Sequence, residues 1–274
     1  MVWHQLKKNK LAMAGLVVII LLIITAIIAP YIMPYSYEEQ NYDAILVGST
    51  KEHLLGTDNL GRDIFSRLLY GTRISLTMGL LIVVIGATVG ILLGSIAGFY
   101  GGKVDNIIMR FLDIYQSIPS ILLAIAFATS LGPGLNSAVI ALGIASFAGY
   151  ARLIRASILQ VRKSEYIEAA RVINASDIKI LFKHVLPNAF SPMIVYITMY
   201  VGANILAAAS LSFIGLGAQA PLPEWGTMLS SGRSLMRDYP TLVLYPGIMV
   251  MITVLAFNLF GDGLRDALDP RLRT

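Results

Sequence analysis

The feature that most constrains this chain is a set of long stretches without a charged side chain. A helix needs about 20 apolar residues to cross the ~30 Å hydrocarbon core of a bilayer. Each stretch is long enough for one crossing, and the third is long enough for two. The stretches without Asp, Glu, Lys or Arg are residues 11–37, 74–102, 114–151, 188–223 and 239–261. The chain is therefore expected to be an all-α membrane protein.

Composition supports this class and argues against two others. Only 14% of the residues are charged and 56% are hydrophobic, whereas soluble proteins carry roughly a quarter charged residues. The chain contains no cysteine, which excludes disulfides and thiolate metal sites. The net charge of +5 does not indicate a nucleic-acid partner, because the basic residues flank the apolar stretches and form no separate basic domain.

Six membrane spans are predicted from these stretches. The third stretch is divided in two by Gly132-Pro133-Gly134, a strong helix breaker. The predicted spans are approximately residues 11–30, 75–100, 107–131, 135–154, 188–213 and 240–261. Since an even number of crossings returns the chain to its starting side, both termini are expected on one side of the membrane.

The distribution of basic residues selects that side. Of the 21 Lys and Arg residues, fifteen fall on the side of the termini and six on the other. Cytoplasmic segments carry the excess of basic residues, so both termini are predicted to be cytoplasmic, in the inner membrane of the cell. The chain then divides into an N-terminal part (1–73) with the first helix and an outer loop, a five-helix core (74–262) and a cytoplasmic tail (263–274).

Glycine recurs every fourth residue in the second span. These glycines and Gly79, seven residues earlier, are predicted to share one helix face. The four recurring glycines are Gly86, Gly90, Gly94 and Gly98. Close backbone approach has to supply helix packing in lipid, where apolar attraction is weak. The ridge is interpreted as a structural helix–helix contact, and the alternative is a groove that slides during transport.

The third span contains two charged residues and a proline. Arg110 and Asp113 are three residues apart, near the predicted inner end. Charged groups in a span usually face protein or water. They are expected to pair locally, or alternatively to line the inner mouth of a pathway. Pro119 is expected to kink this span because it removes one backbone hydrogen bond.

No ATP-binding or catalytic constellation is present in the sequence. The closest approach to a phosphate loop ends at Gly102-Lys103, but it has Ala97 at the first glycine position and Val104 at the Ser/Thr position. The three histidines, His4, His53 and His184, are far apart and form no metal-ligand pair. No metal site, cofactor or catalytic residue is therefore expected in this chain.

The inner loop at residues 152–187 is longer than a connection requires. Ser164 can cap a helix that begins near Glu165, and Glu165 and Glu168 then occupy the first turn, where the helix dipole favours acids. Asn174 tolerates a left-handed bend. A second short helix is predicted to start at Ser176 or Asp177 and to end before Pro187. The loop presents acids and small residues to which a partner could dock.

Several motifs in this chain resemble one family. Glu168-Ala169-Ala170, the bend six residues after Glu168, and Leu186-Pro187-Asn188 resemble the EAA loop of ABC importer permeases. Further motifs resemble the "C" permease subunit of dipeptide, oligopeptide and nickel importers. They are Asn9-Lys10-Leu11-Ala12, Leu55–Asp63, Ser66-Arg67-Leu68, Gly71-Thr72-Arg73, Ser212–Gly217 and Glu224-Trp225-Gly226. Two positions depart from the pattern, because the family usually has glycine at Asn174 and isoleucine at His184.

The resemblance implies a type I ABC importer permease with defined partners. These are a homologous second permease, two ABC ATPase subunits that bind ATP and Mg²⁺, and an extracytoplasmic solute-binding protein. The ATPase-docking residues would be Glu165, Glu168, Ala169, Ala170, Asn174, Asp177, Leu186 and Pro187. Small peptides are the expected cargo, and nickel or another metal chelate is the alternative.

Two classes of protein remain as rivals. An ion-coupled secondary transporter would need inverted repeats or acids at the membrane midplane, and neither is found. A membrane scaffold or enzyme without transport is the other. Copurification with an ATPase would separate both from a permease.

Overall fold

A computed structural model describes residues 2–268 of the chain. The described part consists of helices and loops, with one isolated antiparallel bridge between Thr57 and Asp63. The α-helices are α1 (Val2–Lys8), α2 (Lys10–Ile32), α3 (Ile64–Tyr100), α4 (Gly102–Gln116), α5 (Ser120–Leu131), α6 (Leu135–Val161), α7 (Glu165–Val172), α8 (Asp177–Ile180), α9 (Leu186–Ala189), α10 (Ser191–Phe213), α11 (Trp225–Gly232) and α12 (Thr241–Leu268).

Within residues 2–268, five helices are long and apolar enough to cross a membrane, namely α2, α3, α6, α10 and α12. The prediction of an all-α membrane fold is confirmed, and these five helices correspond to five of the six predicted spans. The second span begins much earlier than predicted, at Ile64, because Asp63 caps the helix and accepts a hydrogen bond from the Ser66 amide at 2.7 Å.

The third predicted span is broken into α4 and α5, which are bent by 82° relative to each other. The expectation of one kinked helix at residues 107–131 was therefore wrong. Pro119 has an extended ψ of 131° and cannot donate a hydrogen bond, so it ends the helix instead of bending it. With 12 residues, α5 is about 18 Å long and too short to cross alone.

The α4–α5 pair nevertheless follows α6 along most of its length. Arg155 of α6 contacts Asp105 near the start of α4, and the carbonyl of Ile144 accepts a hydrogen bond from the Tyr115 hydroxyl at its end. Further along, α5 packs in the same apolar cluster as Ala138. From position 155 to position 138, α6 rises roughly 26 Å. The pair thus has the reach of a single membrane crossing.

The centre of the bundle is the contact between α3 and α6, with α10, α12 and α2 packed around it. The boundary predicted between residues 73 and 74 falls inside α3, and the one between 262 and 263 falls inside α12. The remainder of the predicted tail, residues 269–274, lies outside the described residues. Residues 33–63 fold over the end of the bundle where α3 begins, and this segment is called the cap.

Candidate functional site

The long inner loop folds into two short helical segments joined at Asn174, as its local chemistry predicts. Asn174 has a φ of 57°, the left-handed conformation that ends α7. The Ala175 amide donates to the Ala170 carbonyl at 3.1 Å, which is the bond expected when a left-handed residue terminates a helix. Glu165 and Glu168 lie in the first turn of α7, and Asp177 lies in the first turn of α8.

The sequence analysis expected the second segment to end before Pro187, but the segment continues past this residue. It continues through a π-helical turn, Leu181–Val185, into α9, which contains Pro187. The Leu186 amide donates to the carbonyl of Leu181, five residues back. A proline normally clashes with the carbonyl four residues before it. The wider π turn displaces that carbonyl, so the helix can pass through the proline.

The two alanines of the loop, Ala169 and Ala170, differ in solvent exposure. Ala170 is 7% exposed and, with Ile167, packs into an apolar cluster with Ile154, Ile158 and Val185. Ala170 thus packs into the core of this chain, and its predicted place near the ATPase-docking surface stays a prediction. Residues on the outward side of the loop are exposed, namely Glu165, Glu168, Ala169, Asn174, Asp177 and Pro187, while Leu186 is half-buried.

Large apolar side chains lie exposed beside these acids. Val172 is 85% exposed, Ile173 79%, Ile178 69% and Phe182 61%. An exposed apolar patch next to charged residues is typical of a protein–protein contact. The sequence analysis missed these residues, although apolar residues in an otherwise polar loop were a usable signal. We call Glu165, Glu168, Ala169 and these four apolar residues the docking surface.

The glycine ridge lies against α6. The four glycines on this face are Gly86, Gly90, Gly94 and Gly98. A Cβ at Gly90 would come within 2.5 Å of the Phe147 carbonyl oxygen, so a larger residue cannot be accommodated there. Gly79 was predicted to share this helix face, but it meets a different neighbour, because a Cβ there would meet Ile205 of α10. Gly79 lies about 10 Å from Gly86 along the helix axis, where a different neighbour is present.

The two acids of α4, Asp105 and Asp113, pair with arginines of α6. Asp113 accepts a hydrogen bond from Arg152 at 2.5 Å, so the expected local pair with Arg110 is not formed. Asp105 accepts two hydrogen bonds from Arg155, at 2.5 and 2.6 Å. The sequence analysis missed both pairs, because their partners are 39 and 50 residues apart. A pathway role of Arg110 and Asp113 stays a prediction.

An open cavity of about 530 Å³ lies between the α4–α5 break, α6 and α10. Its polar lining includes Tyr115, Ser146, Tyr196, Tyr200 and Asn204, and none of its lining side chains is charged. Irregular backbone at membrane depth is tolerated only where protein or a water-filled cavity satisfies its polar groups. The broken span and the cavity beside it are thus consistent with each other.

Motifs that are far apart in the sequence meet beneath the cap. Asp58 accepts a hydrogen bond from Arg62 at 2.7 Å and lies 3.6 Å from Arg67. Arg67 also donates to the carbonyls of Tyr37, at 2.7 Å, and Pro221, at 3.3 Å. Partial burial, reinforced by Glu38, raises the pKa of Tyr37 to about 12, so this phenol stays protonated at neutral pH. The buried network ties the cap to the loop before α11.

The remaining contacts of the cap involve His53 and Trp225. His53 Nδ1 lies 3.0 Å from Asp63 Oδ1. Trp225 is fully buried, and its ring nitrogen donates to the Leu68 carbonyl at 3.4 Å. Among residues 2–268, no group of three or more His, Asp or Glu side chains is arranged to hold a metal ion. The contacts described for the cap motifs are ion pairs, hydrogen bonds and apolar packing.

The bundle, the exposed loop helices and the cavity beside a broken span define a multi-pass membrane permease. Residues 90–274 match the family described as the inner membrane component of binding-protein-dependent transport systems. Residues 1–50 match the N-terminal transmembrane domain of oligopeptide transport permease C. The chain belongs to the family of inner membrane components of binding-protein-dependent transport systems, and it is a multi-pass protein of the inner membrane. The resemblance inferred from the sequence is confirmed.

Similar proteins extend the match over nearly the whole chain. A dipeptide transport system permease protein of Alkalihalophilus pseudofirmus is 48% identical over 272 residues, covering 99% of this chain and 90% of the relative. A glutathione transport system permease protein of Pectobacterium atrosepticum is 47% identical over 273 residues, covering 99% and 91%. An inward-facing MetNI methionine ABC transporter structure matches 75% of this chain and 98% of its own with a TM-score of 0.60. At 20% identity, this last match shows a shared fold.

Proposed function

We propose that this chain is one of two membrane-spanning subunits of an ATP-driven importer for small peptides. The observation that carries the proposal is the docking surface, an exposed acidic and apolar patch on helices that are anchored in the bundle. The cargo is inferred from the relatives, two of which are named for dipeptides and for glutathione, both small peptides.

The subunit works with four kinds of partner. A homologous second permease completes the pathway, and two ABC ATPase subunits bind ATP and Mg²⁺ on the cytoplasmic side. A solute-binding protein delivers cargo from outside, and membrane lipid surrounds the spans. In this arrangement both termini and the docking surface are cytoplasmic, whereas the cap and the region around Trp225 face the binding protein.

The anchoring of the loop explains how motion could reach the pathway. Ile167 and Ala170 pack in one cluster with residues of α6 and α10, including Ile154 and Met193. A close-packed core transmits displacement because it has little free volume. When ATP binding draws the ATPase subunits together, the docked loop moves α6 and α10, which also line the cavity. That displacement turns the pathway from inward-facing to outward-facing, and hydrolysis resets it.

The decisive experiment reverses the charge at Glu168. Glu168→Lys should repel a basic partner residue on the ATPase, and losing a charged hydrogen bond at an interface costs roughly 2–5 kcal/mol. The variant is expected to insert normally, to lose peptide uptake, and either to release the ATPase or to leave hydrolysis uncoupled. Copurification of the ATPase and uptake of a labelled dipeptide are measured in the same membranes.

Asp266→Lys is the matched control, because Asp266 is an exposed acid at the end of α12, outside the docking surface. It should retain both ATPase binding and uptake. If Glu168→Lys behaves like this control, the docking assignment is wrong. If the unmodified complex takes up a nickel chelate and no dipeptide, the cargo assignment is wrong while the permease assignment stands.

A further inference from the structure

Helix α4 has little apolar anchorage in the bundle. All fifteen of its residues are described, and among them only Leu112 is buried. Large apolar side chains on its other face, such as Ile107 and Ile114, are exposed. At the turn that joins α4 to α3, Gly101 and Gly102 both have a positive φ. Because glycine restricts the backbone so little, this turn by itself fixes the direction of α4 only weakly.

Two arginines of α6 supply further attachment. Arg155 donates two hydrogen bonds to Asp105, at 2.5 and 2.6 Å, and both side chains are partly shielded from solvent. Arg152 donates one hydrogen bond to Asp113, and this pair is exposed. A two-bond contact between guanidinium and carboxylate fixes orientation as well as distance, whereas an exposed ion pair contributes little. The Asp105–Arg155 pair is therefore the stronger anchor of α4.

The stretch of α6 that contains Arg155 also contacts the inner loop. Ile154 and Ile158 pack in one apolar cluster with Ile167 of α7. Successive residues of a helix point about 100° apart, so Arg155 can face α4 while its neighbour Ile154 faces the loop. A displacement of α7 that moves Ile154 and Ile158 therefore moves Arg155 as well.

The far end of α4 forms a wall of the cavity. Tyr115 and Gln116 line the cavity, as do Ile118 and Pro119 of the break that follows. Asp105 lies near the opposite end of α4, roughly 15 Å from Tyr115 along the helix axis. A change in the direction of α4 at Asp105 thus produces a larger displacement at the cavity wall.

We propose that Asp105 and Arg155 are positioning residues that make α4 move together with α6 during the transport cycle. The inference rests on the proposed function and extends its route of motion to a second wall of the cavity. When the docked loop displaces α6, the ion pair makes α4 follow, and the α4–α5 break moves with it. Neither residue lines the cavity, so the pair acts through α4.

The first test uses the assembled complex with its binding protein in proteoliposomes and measures the dipeptides taken up per ATP hydrolysed. Asp105→Asn removes one charge, and Arg155→Lys keeps the charge but loses the two-bond contact. In both variants the ratio should fall about fivefold, at the lower end of the usual coupling between two sites. Lys103→Gln is the control, because Lys103 is exposed two residues before Asp105 on the same helix, and it should keep the ratio.

The ratio separates a positioning role from a purely structural one. Loss of folded complex lowers uptake and hydrolysis together and leaves the ratio unchanged. An unchanged ratio in both variants would overturn the proposal, and if the unmodified complex takes up dipeptide, the proposed function stands without it. Absent uptake by the unmodified complex removes the proposed function and this inference together.

A second test replaces the ion pair with a covalent link. Because the native chain has no cysteine, Asp105→Cys combined with Arg155→Cys can be joined by a short bifunctional thiol reagent. The unlinked double variant should have the lowered ratio, and the link should restore it, because α4 and α6 then move together again. Asp105→Cys alone, treated with the same reagent, is the control and should stay low. If the linked variant stays low or loses uptake, α4 moves relative to α6 during transport and the proposal is wrong.

Discussion

Ala169 and Ala170 are neighbours in the sequence but face different surroundings. Ala170 packs into the core between the loop and α6, whereas Ala169 is exposed on the docking surface. Ala170→Leu should therefore overpack the core and destabilise the chain by roughly 1–3 kcal/mol. Thermal unfolding of the purified subunit measures this effect, and a lower midpoint is expected.

Ala169→Leu is the matched partner of that variant. It adds the same atoms to an exposed position, so the unfolding midpoint should stay near the unmodified value. Copurification of the ATPase should fall, because a larger side chain obstructs close approach at the docking surface. If both leucine variants unfold at the same temperature, Ala170 does not have the burial described above.

The ridge on α3 acts at the scale of a helix pair. Gly90→Leu should prevent α3 and α6 from approaching, because even a Cβ would meet the Phe147 carbonyl oxygen at 2.5 Å. The amount of assembled protein in the membrane is expected to fall severalfold, since close backbone contact supplies the packing in lipid. Quantitative immunoblotting of detergent-solubilised membranes, with size-exclusion chromatography of the complex, measures the outcome.

Val89→Leu is the control for the ridge, because Val89 precedes Gly90 on the same helix but is 38% exposed toward the outside of the bundle. This variant should assemble normally. Normal assembly of both variants would show that the α3–α6 contact does not depend on glycine. Normal assembly of Gly90→Leu with impaired uptake would instead favour the sliding groove that the sequence analysis left open.

At the scale of the whole molecule, the α4–α5 pair decides the topology. If the pair crosses once, there are six crossings and both termini are cytoplasmic; if it turns back, the termini lie on opposite sides. Because the native chain has no cysteine, each introduced cysteine is a unique label site. A cysteine that replaces Gly48 in the cap should be labelled only from outside. A cysteine that replaces Phe182 on the docking surface should be labelled only from inside.

A cysteine at Trp3, which is 51% exposed on α1, reports on the N-terminus. It should react with an impermeant thiol reagent only after the cells are opened, as Phe182→Cys should. Labelling of the Phe182 position in intact cells would contradict the orientation of the entire bundle. A position-3 label in intact cells, with position 182 protected, would mean that either α2 or the α4–α5 pair does not cross. Labelling of position 48 from outside would then identify α2, and labelling from inside would identify the α4–α5 pair.

The sequence by itself determined the class of the protein, five of the spans and the bend at Asn174. These features depend on hydropathy over about 20 residues or on the conformational freedom of one residue, and both are local properties. It also identified the four glycines of the ridge, because their spacing alone defines a helix face.

Only the tertiary structure decided which neighbour each face meets. The pairing of Asp113 with Arg152, the separation of Gly79 from the ridge and the burial of Ala170 all depend on where α6 and α10 lie. Contacts between residues far apart in the chain have no local signature, because they arise when packed helices bring distant positions together.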